Sequence, residues 1–273
     1  MDLSAKKLFL LDMDGTLYLD DDLFEGAAEF LETVRQNGAR YVFVTNNSSK
    51  SADAYVKKLA RLGIDSTEDD FYTSTEATIL YIKDKYPGRR FYSIGTESFN
   101  KQLSEAGIDI TFEVDDNIDG IVMGNDNELT FKKLYDACLL LTTRDMIYIA
   151  TNPDWVCPTA FGYVPDCGSF AEMIFKATGK RPHFIGKPRP DMLKLSMEKF
   201  GVSESEAVMI GDRVYTDIAS GYNAGIDTIF VLSGEGTLAD AESSDTPPTV
   251  IMKNIKEVLD SYIESGAKLG DIR

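Results

Sequence analysis

Short apolar runs alternate with stretches whose apolar residues recur every three or four positions, almost from one end of the chain to the other. Residues 7–13 and 40–45 read as strands, and between them Ala27, Phe30, Leu31 and Val34 form the stripe of an amphipathic helix. The same rhythm places strands at 91–94, 120–123, 146–150, 183–185, 207–210 and 227–232. Helices are expected near 51–62, 75–86, 97–106, 130–143, 169–178, 190–200, 216–224 and 254–264. Strand and helix in regular alternation is the pattern of an α/β protein with parallel sheets.

One local pattern occurs three times at irregular intervals, around Gly63-Ile64, Gly107-Ile108 and Gly225-Ile226. Each reads as a helix stop, with glycine left-handed just past the helix end and isoleucine folding back onto it. Residues 151–169 read as a long irregular stretch, and 238–249, with Pro247-Pro248, as an acidic surface loop before a last strand and helix. At 273 residues the chain exceeds the size at which one hydrophobic core stops growing, so two domains are expected. No low-complexity linker separates them, which favours an insertion of one domain into the other.

Composition removes several chemistries. Forty-five acidic against 28 basic residues give a formal charge of −17, which repels nucleic-acid backbones and anionic membranes. The apolar runs are too short for a membrane span or a signal peptide, so a cytoplasmic protein is expected. The single histidine, His183, excludes paired-histidine phosphatases and most zinc sites. Three cysteines, Cys138, Cys157 and Cys167, are expected as free thiols.

What remains in abundance is carboxylate, and it collects at strand ends. The first strand runs into Asp12-Met13-Asp14-Gly15-Thr16. Residues two apart on a strand share a side, so Asp12 and Asp14 project together from its carboxyl end, where open parallel sheets bind ligands. The strand before Thr45-Asn46 ends in hydrogen-bonding groups, the one before Lys187 in a cation, and the one before Gly211-Asp212, with Asp217 beyond, in acid.

These four segments, in order along the whole chain, resemble the four motifs of haloacid dehalogenase superfamily phosphatases. The wording 44–49 and 211–217 is similar to that of the NagD-like and 4-nitrophenyl phosphatase subgroup. The resemblance implies a doubly wound, Rossmann-like parallel-sheet core, 1–77 and 183–273, with an inserted α/β cap over 78–182. It also implies a phosphomonoester hydrolase in which Asp12 attacks phosphorus to form an aspartyl phosphate. Asp14 would then act as general acid and base, and Lys187, Thr45 and the Asn46 backbone amide would hold the phosphoryl group. Mg²⁺ would be bound by the Asp12 side chain, the Asp14 carbonyl and Asp212, with Asp217 behind them or orienting Lys187. Substrates of the subgroup include sugar phosphates, pyridoxal phosphate, phosphoglycolate and nucleoside monophosphates. Phosphoryl transfer between sugar hydroxyls and a catalytically idle binding protein on this fold stay open as alternatives, as does homo-oligomerisation.

Other sequence signals are set aside on physical grounds. Cys138 to Arg144 has the spacing of thiolate phosphatases, but its interior of Leu and Thr reads as helix rather than anion-cradling loop. The glycine pattern beginning at Gly234 matches a dinucleotide fingerprint but lies too late in the chain. His183 reads as structural. In the expected cap, Trp155 and Tyr163 are the candidates for contact with a leaving group.

Overall fold

The computed structural model describes residues 1–159 and 161–270; the last three positions expected in the core therefore lie outside the described residues. The chain falls into two compact units. One comprises Met1–Thr45, Asp53–Tyr72 and the chain from Lys187 onward, and the other Asn46–Ala52 and Thr73–Gly186. The second unit thus runs from Thr73 to Gly186 and also takes the segment directly after Thr45.

The chain opens with β1 (Leu8–Leu11), a small hairpin of β2 (Tyr18–Leu19) and β3 (Asp22–Leu23), α1 (Ala27–Gln36), β4 (Arg40–Thr45), α2 (Ala52–Arg61) and β5 (Phe71–Thr73). Next come α3 (Ser74–Lys85), β6 (Arg90–Ile94), α4 (Glu97–Glu105), β7 (Asp109–Thr111), β8 (Gly120–Met123), α5 (Phe131–Thr143) and β9 (Ile147–Ala150). A second hairpin, β10 (Val156–Thr159) and β11 (Gly162–Pro165), leads into α6 (Cys167–Thr178) and β12 (His183–Phe184). The last part holds α7 (Asp191–Phe200), β13 (Ala207–Gly211), a π-helical turn (Val214–Ile218), α8 (Ala219–Ala224), β14 (Asp227–Val231), α9 (Leu238–Ser243), β15 (Val250–Met252) and α10 (Ile255–Glu264).

Among the described residues the first unit carries a six-stranded, doubly wound sheet in the order β15-β14-β13-β1-β4-β5. β1 and β13 are buried at every position, which is why they read as unbroken apolar runs. Phe9 of β1 packs edge-on against Phe30 of α1 at 5.5 Å and at a tilt against Tyr262 of α10 at 5.2 Å. β1 lies between β13 and β4, and on either side of it the chain winds outward in opposite directions. That reversal is where a doubly wound sheet opens a crevice at its carboxyl edge. The parallel register pairs Leu11 with Ile210 on one side and with Phe43 on the other. One residue further on, Asp12 is level with Gly211 and Val44, so Asp212 and Thr45 follow at the same edge.

The second unit has its own five-stranded parallel sheet, order β12-β9-β8-β6-β7, backed by a core that includes Tyr92, Ile121, Leu140 and Phe170. Cys138 lies on α5 and packs against this core, and His183 stacks on Tyr81 at 5.1 Å. All three cysteines are free.

Two expectations are corrected. The stretch expected to be irregular over 151–169 is so only over 151–155: the antiparallel β10–β11 hairpin follows, its alternation masked in the sequence by Pro158, Gly162 and Pro165, and α6 begins at Cys167. The acidic segment after Thr237 is helical from Leu238 to Ser243 because Thr237 and Asp240 cap it reciprocally, a local signal that apolar periodicity misses. The three glycine stops form as read: Gly63, Gly107 and Gly225 have φ near 80°, and the following isoleucine amides donate back to Leu59, Leu103 and Gly221. A Cβ on Gly63 would meet no atom within 4 Å, so its requirement is conformational alone. Gly63→Ala is expected to cost about 1–2 kcal/mol of stability, read by urea denaturation, with catalysis unchanged.

Candidate active site

The strand-end residues of the first unit converge. Lys187 is almost fully buried, and its ammonium lies 2.7 Å from Asp12 Oδ1 and 2.6 Å from Asp217 Oδ1 while donating to the Val44 carbonyl at 2.8 Å. Burial alone would lower the lysine pKa; the two carboxylates outweigh it and hold it above its ordinary value, so the ammonium stays charged. Val44 is the residue before Thr45, so the lysine is tied to the end of β4 as well as to the acids. Thr45 itself is buried at that end.

Asp12 and Asp14 leave β1 on either side of the fully buried Met13, and both stay partly open to solvent. Burial pushes the Asp12 carboxyl well above the usual range, Asp217 and Asp212 push it the same way, and Lys187 opposes them. The Asp14 carboxylate turns instead toward Lys58, whose Nζ is 3.5 Å away. The π-helical turn carries Asp217 and folds its Oδ2 back onto the Arg213 amide at 2.9 Å, leaving Oδ1 for Lys187. Such turns often mark functional positions in helices.

Asp212 sits in a seat made of backbone. Its Oδ2 accepts from the Glu235 amide at 2.7 Å, and its carbonyl accepts from the Gly236 amide at 3.0 Å. A Cβ on Gly234 would lie 1.9 Å from Oδ2 and one on Gly15 2.5 Å from it, so both positions need glycine for the carboxylate to fit; Gly15 also has φ +85°. Among the described residues, the buried Asp212 Oδ1 has no hydrogen-bond partner. Burial and the neighbouring Asp217 raise the Asp212 pKa against the pull of Arg213.

Asp12, Asp212 and Asp217 offer carboxylate oxygens all within 4.8 Å of one another. Three carboxylates facing one lysine leave excess negative charge, and among the described residues Asp212 Oδ1 has no donor. A small, hard dication with a preference for oxygen fits both the charge and that atom. The Asp14 side chain is not part of the cluster, and Asp217 is.

The remaining sequence candidates lie in the second unit. The Asn46 side chain belongs to a buried polar network: its Nδ2 donates to Asp154 Oδ2 at 2.6 Å, which also accepts from Asn152 at 2.8 Å. Trp155 and Tyr163, beside and on the β10–β11 hairpin, are each about half exposed. Sequence reasoning missed Lys58, for which no motif signals a role, and the Asp154 network. It also missed the use of the Gly234-Glu235-Gly236 loop, whose glycines after a strand were the available signal.

The family description "Haloacid dehalogenase-like hydrolase" matches residues 9–109, and a HAD-hydrolase-like description matches 184–258. An acid sugar phosphatase of Staphylococcus aureus is 37% identical over 253 residues, 93% of this chain and 96% of its own. A 4-nitrophenylphosphatase structure from Thermotoga maritima superposes with a TM-score of 0.88 at 42% identity, covering 96% of this chain and 99% of that one. A glycerol phosphate phosphatase from Mycobacterium tuberculosis, in complex with magnesium, gives 0.86 at 28% identity, covering 94% and 78%.

The seat of Asp212 is directly testable. Gly234→Ala should displace the carboxylate and weaken binding of a divalent cation by about 10- to 100-fold in calorimetric titration, with the fold retained by circular dichroism.

Proposed function

Because this chain belongs to the haloacid dehalogenase-like hydrolases, in their NagD-like branch, and is a phosphatase of phosphorylated metabolites, we propose that Asp12 is its nucleophile and a sugar phosphate or related small ester its substrate. The observation that carries the reading is the Lys187 ammonium held 2.7 Å from Asp12 at the carboxyl end of β1. A phosphate dianion approaching a carboxylate needs its charge cancelled, and this lysine is fixed beside the attacking oxygen. The sugar ester is supported by the acid sugar phosphatase relative.

In this reading an Asp12 oxygen attacks phosphorus and the ester bond to the leaving group breaks, while Asp14 gives that group its proton. Asp14 then takes a proton from the water that attacks the aspartyl phosphate, which returns Asp12 as carboxylate and releases inorganic phosphate. Thr45 and the Asn46 amide hold phosphoryl oxygens, and Lys187 offsets their charge throughout. Asp217 keeps Lys187 in place. The family generally uses a divalent metal; we assign Mg²⁺, held by the Asp12 side chain, the Asp14 carbonyl and Asp212. When bound it supplies charge neutralisation at the phosphoryl oxygens. The second unit acts as a cap, in which Trp155 and Tyr163 select among leaving groups.

Among the described residues no helix is long and apolar enough to cross a membrane. Three free thiols support a reducing, cytoplasmic compartment.

Asp12→Asn should abolish phosphate release while the fold persists, and EDTA should abolish it in the parent protein until Mg²⁺ is returned. Turnover in either state, followed by a phosphate assay over a metabolite panel, would refute the assignment. The same panel separates phosphoryl group from leaving group. Lys187→Ala should cost all substrates alike, about 3 kcal/mol in kcat/KM. Trp155→Ala and Tyr163→Ala should instead reorder natural esters and affect 4-nitrophenyl phosphate least.

A further inference from the structure

Lys58 has no part in the scheme above, yet it is placed against one of its members. It lies on the last turn of α2 with its side chain only 12% exposed, and its ammonium is 3.5 Å from Asp14 Oδ1. The same ammonium stands 3.8 Å above the ring of Tyr18, which is fully buried. Tyr18 is itself anchored to the Asp14 loop: it bridges to Asp14, and its carbonyl accepts from the Gly15 amide at 2.9 Å. The lysine is therefore fixed from below by an aromatic face and faces the carboxylate from within the same unit. A ring so placed attracts a cation and limits where it can go. Asp14, by contrast, follows a strand end, keeps a third of its side chain exposed, and has no other ion pair among the described residues. A carboxyl group on such a loop has several rotamers, of which few can deliver a proton to a leaving oxygen.

We propose that Lys58 is a positioning residue that holds the Asp14 side chain in the orientation from which its protonated carboxyl gives a proton to the leaving group. The proposal rests on Asp14 as general acid. Lys58 does not contact the phosphoryl group, so its effect depends on how much the leaving oxygen needs a proton. An alkyl or sugar alkoxide needs one, and 4-nitrophenolate needs almost none. Misplacement of a catalytic group by about an ångström costs on the order of 100-fold.

The test is kcat/KM for 4-nitrophenyl phosphate and for an alkyl phosphate such as glycerol phosphate. That parameter ends at the first irreversible step, so it reports attack on phosphorus rather than breakdown of the aspartyl phosphate. Lys58→Met keeps the stem over Tyr18 and removes the charge; it should raise the 4-nitrophenyl-to-alkyl ratio by about tenfold or more. Lys58→Arg should restore most of the parent ratio, and thermal melts of both variants check that the fold is intact. Asp14→Asn is the reference and should raise the ratio further. If Asp14→Asn shifts the ratio and Lys58→Met does not, or if Lys58→Met lowers both substrates equally, the positioning role is overturned. If Asp14→Asn leaves the ratio where it was, the general-acid reading fails and the role of Lys58 falls with it.

Discussion

One buried ammonium organises the first unit's acidic edge. Lys187 reaches Asp12, Asp217 and the Val44 carbonyl at once, so it joins the ends of three segments far apart in sequence. Taking these charges out of water is costly, and only close pairing offsets the cost. Without the lysine, Asp12 and Asp217 would lose the ammonium that pairs with both of them. Even with it, the carboxylates outnumber the ammonium. That imbalance, together with an Asp212 oxygen that has no hydrogen-bond partner among the described residues, suits the edge to a dication.

The sheet makes that convergence possible. Register locks β1 to β13 and to β4, so residues just past the three strand ends are level to within one position. The winding reverses at β1, which keeps crossover helices away from the crevice there. Close approach then depends on glycine: Gly15 and Gly234 leave room for the Asp212 carboxylate where any side chain would collide with it. Backbone amides of the loop after β14 complete the seat. Chemistry at this edge therefore depends on backbone geometry as much as on the acids themselves.

Much of this was legible in the sequence, and the reasons are particular. β1, β4, β8 and β13 are apolar enough to stand out, and their polar ends mark the sheet edge. The motif order pointed to Asp12, Thr45, Lys187 and Asp212, and the structure brings Asp12, Lys187 and Asp212 to one edge of the first unit's sheet. Less visible were elements whose cues are not periodic. β5 and β7 have three residues each, too few to establish alternation, and α9 depends on a capping pair. Lys58 was invisible because its role comes from the fold: nothing along the chain links it to Asp14, 44 positions earlier. The Asn46–Asp154 hydrogen bond, across a still longer span, escaped for the same reason.

The central claim is that Asp12 becomes covalently phosphorylated beside Lys187. It can be examined where the second half of the reaction is blocked, since Asp14→Asn removes the base that activates water while 4-nitrophenyl phosphate needs little acid to react. Mixing this variant with the substrate, quenching in acid and mapping the peptides by mass spectrometry reads the intermediate itself. The account predicts one phosphoryl group per chain, on the peptide and at the position of Asp12, appearing in step with 4-nitrophenolate. Stoichiometric 4-nitrophenolate with no phosphoryl group on the protein, or with the group on another residue, would contradict it.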